Sequence, residues 1–223
     1  MKKYLWLISC LILSLALHAE QHAKEDNKIS ALPYYGSAEF TPHWFSENSP
    51  ELINFHQVSD FKLINQQGEY ITQDKVKNKT YVASFFFTSC PGICPKMRSQ
   101  LSKVQDKFME NNDVMIISHS IQPSNDTVDV LQAYAQENDI NAGKWQLLTG
   151  DQDEIYALAR NAYFANEDLG EFVSQQDFLH TENLVLVDGN RHIRGIYNGL
   201  NNTSVELLLK DIRLLLSERK LQH

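Results

Sequence analysis

The apolar residues of this chain fall into short runs that alternate with helical patterns. Residues 81–87 are aromatic and aliphatic apart from one serine and carry no charge, which is typical of a strand buried on both faces of a sheet. Apolar side chains then recur at spacings of four, three and four residues, at Met97, Leu101, Val104 and Phe108. This spacing predicts a helix with one buried face directly after the strand.

Apolar runs typical of strands and apolar spacings typical of helices also divide the rest of the chain into elements. Further strands are predicted at residues 58–64, 70–71, 114–118, 145–148, 183–187 and 192–197, and further helices at residues 126–137, from residue 151, and at residues 205–218. Capping residues are expected at the helix starts: Asp126, Asp151 with Glu154, and Thr203 with Glu206. The turn 188–190 predicts a hairpin. The order predicts an α/β fold, a central mixed sheet with helices on both faces plus an N-terminal hairpin.

Two cysteines lie between the first buried strand and its helix. Pro95 has no amide hydrogen and therefore fits the first turn of that helix, which places Cys94 at the helix N-terminus and Cys90 in the loop before it. Gly92 is expected to take a positive φ where this loop folds back. Both sulfurs are then expected to share the positive end of the helix dipole, which favours thiolate over thiol.

The N-terminal residues predict export. Lys2 and Lys3 precede about fourteen mostly apolar residues, fewer than the roughly twenty that a membrane-spanning helix needs. Residues 1–19 are therefore predicted to be a signal peptide or, if retained, a membrane anchor; lipidation at Cys10 is a third alternative. Each outcome puts the remainder outside the cytoplasm, where disulfides persist. Residues 20–53 are expected to form an extended arm, and residues 54–223 one domain.

Charge and cysteine count narrow the chemistry. The formal net charge of −8, without a basic cluster, argues against nucleic acid as a partner. Removal of residues 1–19 leaves two of the three cysteines, too few for a disulfide framework. At helical spacing their Cα atoms are about 6 Å apart, which permits a disulfide. Two thiolates also suit Cu(I), whereas structural zinc would need four protein ligands. The pair points to copper, to redox exchange, or to both.

The segment from Phe85 to Met97, with its Cys-x-x-x-Cys-Pro spacing, resembles the Sco/SenC family of copper chaperones for cytochrome c oxidase assembly. The likeness extends over roughly residues 61–216 and includes four further stretches: residues 118–120, 126–127 and 148–150, and His180 with residues 184–188. The resemblance implies a thioredoxin-like three-layer fold. It also implies one copper ion, held by Cys90, Cys94 and His180.

What the resemblance implies about function is delivery of copper to the binuclear copper site of a terminal respiratory oxidase. The expected partners are the oxidase subunit that carries that site and a copper donor or thiol reductase. The protein is expected to act as a monomer, in the periplasm or on the outer face of the inner membrane.

Two other functions compete with copper delivery. A thiol–disulfide oxidoreductase acting on exported or oxidase cysteines would use Cys90 and Cys94 as a redox pair and would not need His180. A peroxide-reducing enzyme on the same fold would want a threonine and an arginine around one cysteine. Thr88 is present, but no arginine of that motif is evident.

Two positions depart from the family pattern. Many members carry acidic residues at the position of Gly92 and just before the histidine, where this chain has Leu179. An acid that would orient His180 is therefore missing from its usual place, and Asp177 and Glu182 are the nearby candidates. His119, at the end of the second buried strand, is expected to be a hydrogen-bonded structural histidine.

Overall fold

A mixed sheet of nine strands runs through the part of the protein that the computed structural model describes, residues 32–46, 49–165 and 181–220. The strands are β1 Tyr34–Tyr35, β2 Pro42–His43, β3 Lys62–Asn65, β4 Tyr70–Thr72, β5 Thr80–Phe86, β6 Val114–Ser120, β7 Trp145–Thr149, β8 Asn183–Val187 and β9 Ile193–Asn198. The helices are α1 Gln73–Val76, α2 Cys94–Lys107, α3 Val128–Glu137, α4 Gln152–Ala157, which continues into a π-helical turn Leu158–Ala162, and α5 Asn202–Lys220. Pro50–Asn54 forms a 3-10 turn.

Three parallel strands form the centre of the sheet. The strand order is β2-β1-β9-β8-β5-β6-β7-β3-β4. β5 pairs in parallel with β6, and β6 with β7, while β8 runs antiparallel on the other side of β5. Parallel neighbours need a crossover, which α2 supplies between β5 and β6, and α3 between β6 and β7. Every residue of β5 is buried, as its uncharged sequence predicts.

Apolar side chains alternate between the two faces of the sheet and form one cluster on each face. Helices α2, α3 and α5 cover one face, whose core includes Val104, Leu131 and Ile212. The other face is covered by α1, α4 and the π-helical turn, with Val76 and Ile155 in its core. Because burial of each large aliphatic side chain contributes about 1.5–3 kcal/mol to the free energy of folding, both clusters stabilise the sheet. A mixed sheet with helices on both faces is the architecture that the sequence predicts.

The helix caps are only partly as predicted. Asp151 accepts a hydrogen bond from the amide of Glu154 at 2.9 Å, as expected. Helix α3 instead begins after Thr127, whose hydroxyl accepts from the amide of Val130; Asp126 is not its cap. Helix α5 begins at Asn202, and the amide of Ser204 donates to the side chain of Asn201, so Thr203 is not its cap either. Serine, threonine, aspartate and asparagine all cap helices, and sequence alone does not separate neighbours of this kind.

The predicted hairpin around residues 188–190 is confirmed, since β8 and β9 pair antiparallel. Strands β3 and β4 also pair antiparallel around a turn at Gly68, and β3 begins at Lys62 rather than at residue 58. The described end of the N-terminal arm adds two short strands to the sheet, with Tyr35 opposite Ile193.

Residues 1–19, predicted to be an export signal or anchor, lie outside the described residues. Within the described ranges, no helix combines the length and apolarity that a membrane span requires.

Candidate metal and thiol site

The two cysteines lie where the sequence predicts, at the carboxyl end of the central strand. β5 ends at Phe86, and the amide of Cys90 donates to the carbonyl of Phe87 at 3.3 Å, which closes a turn. Helix α2 begins at Cys94, with Pro95 in its first turn. Both cysteines are free, and each is 7% exposed. The fold therefore brings two reduced sulfurs to one nearly closed place.

Gly92 does not have the role expected of it. Its φ is not positive, in contrast to those of Gly68 and Gly150. A Cβ at position 92 would lie 4.0 Å from Cys90 Sγ, and no closer contact is found there. The loop is thus wrapped around the Cys90 sulfur in a conformation that other residues could adopt.

The two sulfurs have different acidities. Burial raises the pKa of the Cys90 thiol, but hydrogen bonds from the backbone and thiol of Cys94, and from the backbone of Gly92 and Ile93, outweigh burial and lower it. Burial is the main cause that raises the pKa of Cys94 to about 12; a backbone hydrogen bond from Phe87 opposes the rise, and the hydrogen bond with Cys90 and the negative charges of Cys90 and Asp126 contribute to it. The expectation that both sulfurs favour the thiolate is wrong for Cys94. Both cysteines belong to the same apolar cluster; the loop and helix-start donors outweigh burial at Cys90 but not at Cys94.

A buried carboxylate lies beneath the cysteine loop. Asp126 is fully buried. Its Oδ2 accepts from the amide of Thr88 at 3.1 Å and from the Ser120 hydroxyl at 2.5 Å, and its Oδ1 accepts from the Thr88 hydroxyl at 2.5 Å. The sequence predicts Asp126 to be a helix cap, because aspartate directly before a helix commonly has that role. No sequence signal distinguishes the two roles, since the donors come from positions 38 and 6 residues away.

His119 lies on the other face of the sheet from the cysteines. Its ring is surrounded by the rings of Phe61, Phe85 and Tyr163, with centroid distances of 6.0, 5.2 and 5.4 Å. Both ring nitrogens are buried and have no hydrogen-bond partner among the described residues, so the expected hydrogen-bonded histidine is not found there. Burial lowers its pKa to about 3. This imidazole is therefore neutral and does not line the thiol site.

The third predicted ligand, His180, and the candidate acid Asp177 lie outside the described residues. Glu182, the other candidate, accepts from the side chain of Asn198 at 3.1 Å. Within the described ranges, no group of three histidine, cysteine or acidic side chains could hold a metal ion. The described part of the protein thus contributes two soft ligands, Cys90 and Cys94.

The start of β8 approaches the first turn of α2. The amide of Gly199 donates to the carbonyl of Glu182 at 2.7 Å. A Cβ at Gly199 would lie 2.9 Å from that carbonyl oxygen and 3.3 Å from Cγ of Met97. Residue 182, two positions after His180 in the sequence, therefore lies close to the helix that begins at Cys94.

The family model described as SCO1/SenC matches residues 51–217, which is most of the chain and includes both cysteines. The chain belongs to the SCO1/SenC family. A SCO1 protein homolog of Bacillus subtilis is 31% identical over 160 residues, which cover 71% of this chain and 82% of that protein. The family assignment and the mixed sheet together establish the thioredoxin-like fold that the resemblance implies.

Two solved Sco structures share this fold. The structure of BsSco, described as a member of the Sco family of cytochrome c oxidase assembly proteins in which a disulfide switch was identified, has a TM-score of 0.61 and 30% identity. It covers 72% of this chain and 93% of BsSco. Arabidopsis thaliana ScoI with copper bound has a TM-score of 0.55 and 27% identity, over 71% of this chain and 98% of ScoI.

Proposed function

We propose that this protein binds one copper ion through Cys90, Cys94 and His180 and delivers it to the binuclear copper site of a terminal respiratory oxidase. The observation that carries the proposal is the pair of buried, free cysteines at the start of α2. Two soft sulfur ligands favour Cu(I) over hard cations. The copper-bound Sco relative and the oxidase-assembly relative support the cargo and the process.

An incomplete coordination shell suits delivery. Two thiolates and one imidazole leave the metal open to an incoming cysteine of the acceptor, so the ion can pass by ligand exchange. In this proposal the partner is the oxidase subunit that carries the binuclear site. The protein works in the periplasm or on the outer face of the inner membrane, exported by residues 1–19.

A second candidate function is thiol–disulfide exchange, which the unequal sulfurs favour. A thiol with a lowered pKa attacks a disulfide, and its neighbour resolves the mixed disulfide. Cys90 fits the first role and Cys94 the second. The disulfide switch of BsSco supports this reading. The peroxide-reducing alternative is less well supported, because the Thr88 hydroxyl that it would use at the cysteine donates to Asp126.

The replacement His180→Ala separates the two candidates. We expect it to weaken Cu(I) binding about 10- to 100-fold, because the site loses one of three ligands, a size of effect comparable with loss of a metal-site partner. Disulfide exchange with glutathione should change less than about twofold, since that reaction needs only the sulfurs. Cu(I) affinity is measured by competition with a colorimetric chelator, and exchange by mass spectrometry.

The matched control is His43→Ala, which removes an exposed histidine on β2. It should leave both Cu(I) affinity and disulfide exchange unchanged. Cys94→Ser should abolish tight copper binding. Unchanged Cu(I) affinity in His180→Ala would remove the third ligand and make the exchange reaction the better proposal.

A further inference from the structure

One side chain of the loop that carries Cys90 is hydrogen-bonded to a buried carboxylate. Thr88 lies between the end of β5 and Cys90, and both its amide and its hydroxyl donate to Asp126. The same carboxylate accepts from the Ser120 hydroxyl at the end of β6. Asp126 therefore ties the cysteine loop to the neighbouring central strand.

This carboxylate is costly to bury. Asp126 is 0% exposed, and no ion pair to it is found among the described residues. A buried charge without an opposite charge is destabilising unless hydrogen bonds compensate. Its compensating donors are those of Thr88 and Ser120, which gives this carboxylate a fixed geometry. An apolar side chain of the same size would fill the space without that cost.

The loop geometry matters for the sulfur. The chain turns around Cys90 Sγ closely enough that a Cβ at Gly92 would touch it at 4.0 Å. The turn is closed by the hydrogen bond from the Cys90 amide to the Phe87 carbonyl, and Thr88 lies between these two residues. The backbone amides of residues 92–94 donate to Cys90, so we expect their alignment on the sulfur to depend on the conformation of this turn.

We propose that Asp126 is a positioning residue that fixes Thr88 and thereby holds the Cys90 loop in its reactive conformation. It acts through Thr88 and does not touch the reacting atoms. This inference rests on the proposed function only in taking Cys90 and Cys94 as the working pair.

The test is the rate at which iodoacetamide alkylates each cysteine of the reduced, copper-free protein at pH 7.5. A thiolate displaces iodide in this reaction, and mass spectrometry of peptides follows Cys90 and Cys94 separately. In Asp126→Ala we expect the rate at Cys90 itself to fall at least fivefold. The rate at Cys94 should rise, because the variant also removes a negative charge that raises the pKa of Cys94, so the absolute Cys90 rate is the readout. A residue with only a general structural role would loosen both sites, and the two rates would rise together.

Three further variants make the result interpretable. Asp129→Ala removes an exposed negative charge in the first turn of α3 and should leave the Cys90 rate unchanged. Thr88→Val removes the hydroxyl donor and should lower the Cys90 rate at least threefold, which keeps the proposal testable if Asp126→Ala does not fold. Thr88→Ser keeps the hydroxyl and should restore the Cys90 rate to within twofold of the natural protein.

A Cys90 rate that falls less than fivefold in folded Asp126→Ala, or less than threefold in Thr88→Val, overturns the inference. Copper is absent from these reactions, so their result does not depend on copper binding. Failure of the natural protein to bind Cu(I) would refute the copper proposal and leave the role of Asp126 standing. Tight Cu(I) binding by the natural protein, together with an unchanged Cys90 rate in folded Asp126→Ala, would refute only the role of Asp126.

Discussion

The two ends of the central strands differ in whether their polar groups have ionic partners. At the end opposite the cysteines, the four ion pairs found among the described residues gather around the turn between β8 and β9 and the last turns of α5. A polar cavity of about 720 Å³ opens there. At the cysteine end, Asp126 and His119 are fully buried, and neither has an ionic partner within the described residues.

The difference separates stability from reactivity. Paired charges hold chain segments together and are costly to break, whereas Asp126, a buried group without an opposite charge, raises the pKa of the nearby Cys94 thiol. The cysteine end therefore sets the chemistry of the site. The ion pairs at the other end stabilise the contacts of the β8–β9 turn with α5 and with the start of the sheet's N-terminal strands.

The largest effect is expected from Arg194→Ala. The Arg194 side chain donates to Asp188 at 3.1 Å, to Glu218 at 3.2 Å and to the carbonyls of Leu32 and Pro33 at 2.7 and 3.1 Å. Its removal leaves the buried Asp188 and the partly buried Glu218 without an opposite charge, so the free energy of unfolding should fall by about 3–5 kcal/mol. Urea unfolding of the reduced protein measures it. The alkylation ratio of the two cysteines should stay unchanged, and a change in that ratio would break the comparison.

A smaller effect should come from acid at the cysteine end. The pKa of His119 is about 3 in the folded protein, against an ordinary value of about 6.5. Between these values the unfolded chain binds a proton that the folded protein does not, so stability falls as pH is lowered through this window. The slope approaches about 1.4 kcal/mol per pH unit, or about 2 kcal/mol between pH 6 and 4.5.

His119→Phe removes the imidazole that binds this proton in the unfolded chain. It places an apolar ring beside Phe61, Phe85 and Tyr163 instead. We expect the variant to lose about 2 kcal/mol less than the natural protein between pH 6 and 4.5, measured by urea unfolding at several pH values. The exposed His43→Phe is the control and should keep the natural pH dependence. An equal slope in His119→Phe would mean that other groups cause the acid sensitivity.

The sequence predicts the local features of the site better than its convergent ones. The buried strand, the start of α2 and the positions of Cys90 and Cys94 follow from apolar spacing and from Pro95, all within one stretch of chain. The role of Asp126 and the raised pKa of Cys94 depend on which groups distant segments bring together. Composition and periodicity contain no information on such pairings, so these features required the three-dimensional structure.

The smallest effect is expected at an exposed ion pair of the same end. Asp60 accepts from Arg191, but the Asp60 side chain is 69% exposed, so water and salt screen the pair. Asp60→Asn keeps the shape of the side chain and should lower the free energy of unfolding by at most about 0.5 kcal/mol, less in 0.5 M salt. Urea unfolding at low and high salt measures both values. A loss near that of Arg194→Ala would show that exposed ion pairs also stabilise this end of the sheet. The expected small loss would assign the stabilisation to Arg194 and its partners Asp188 and Glu218.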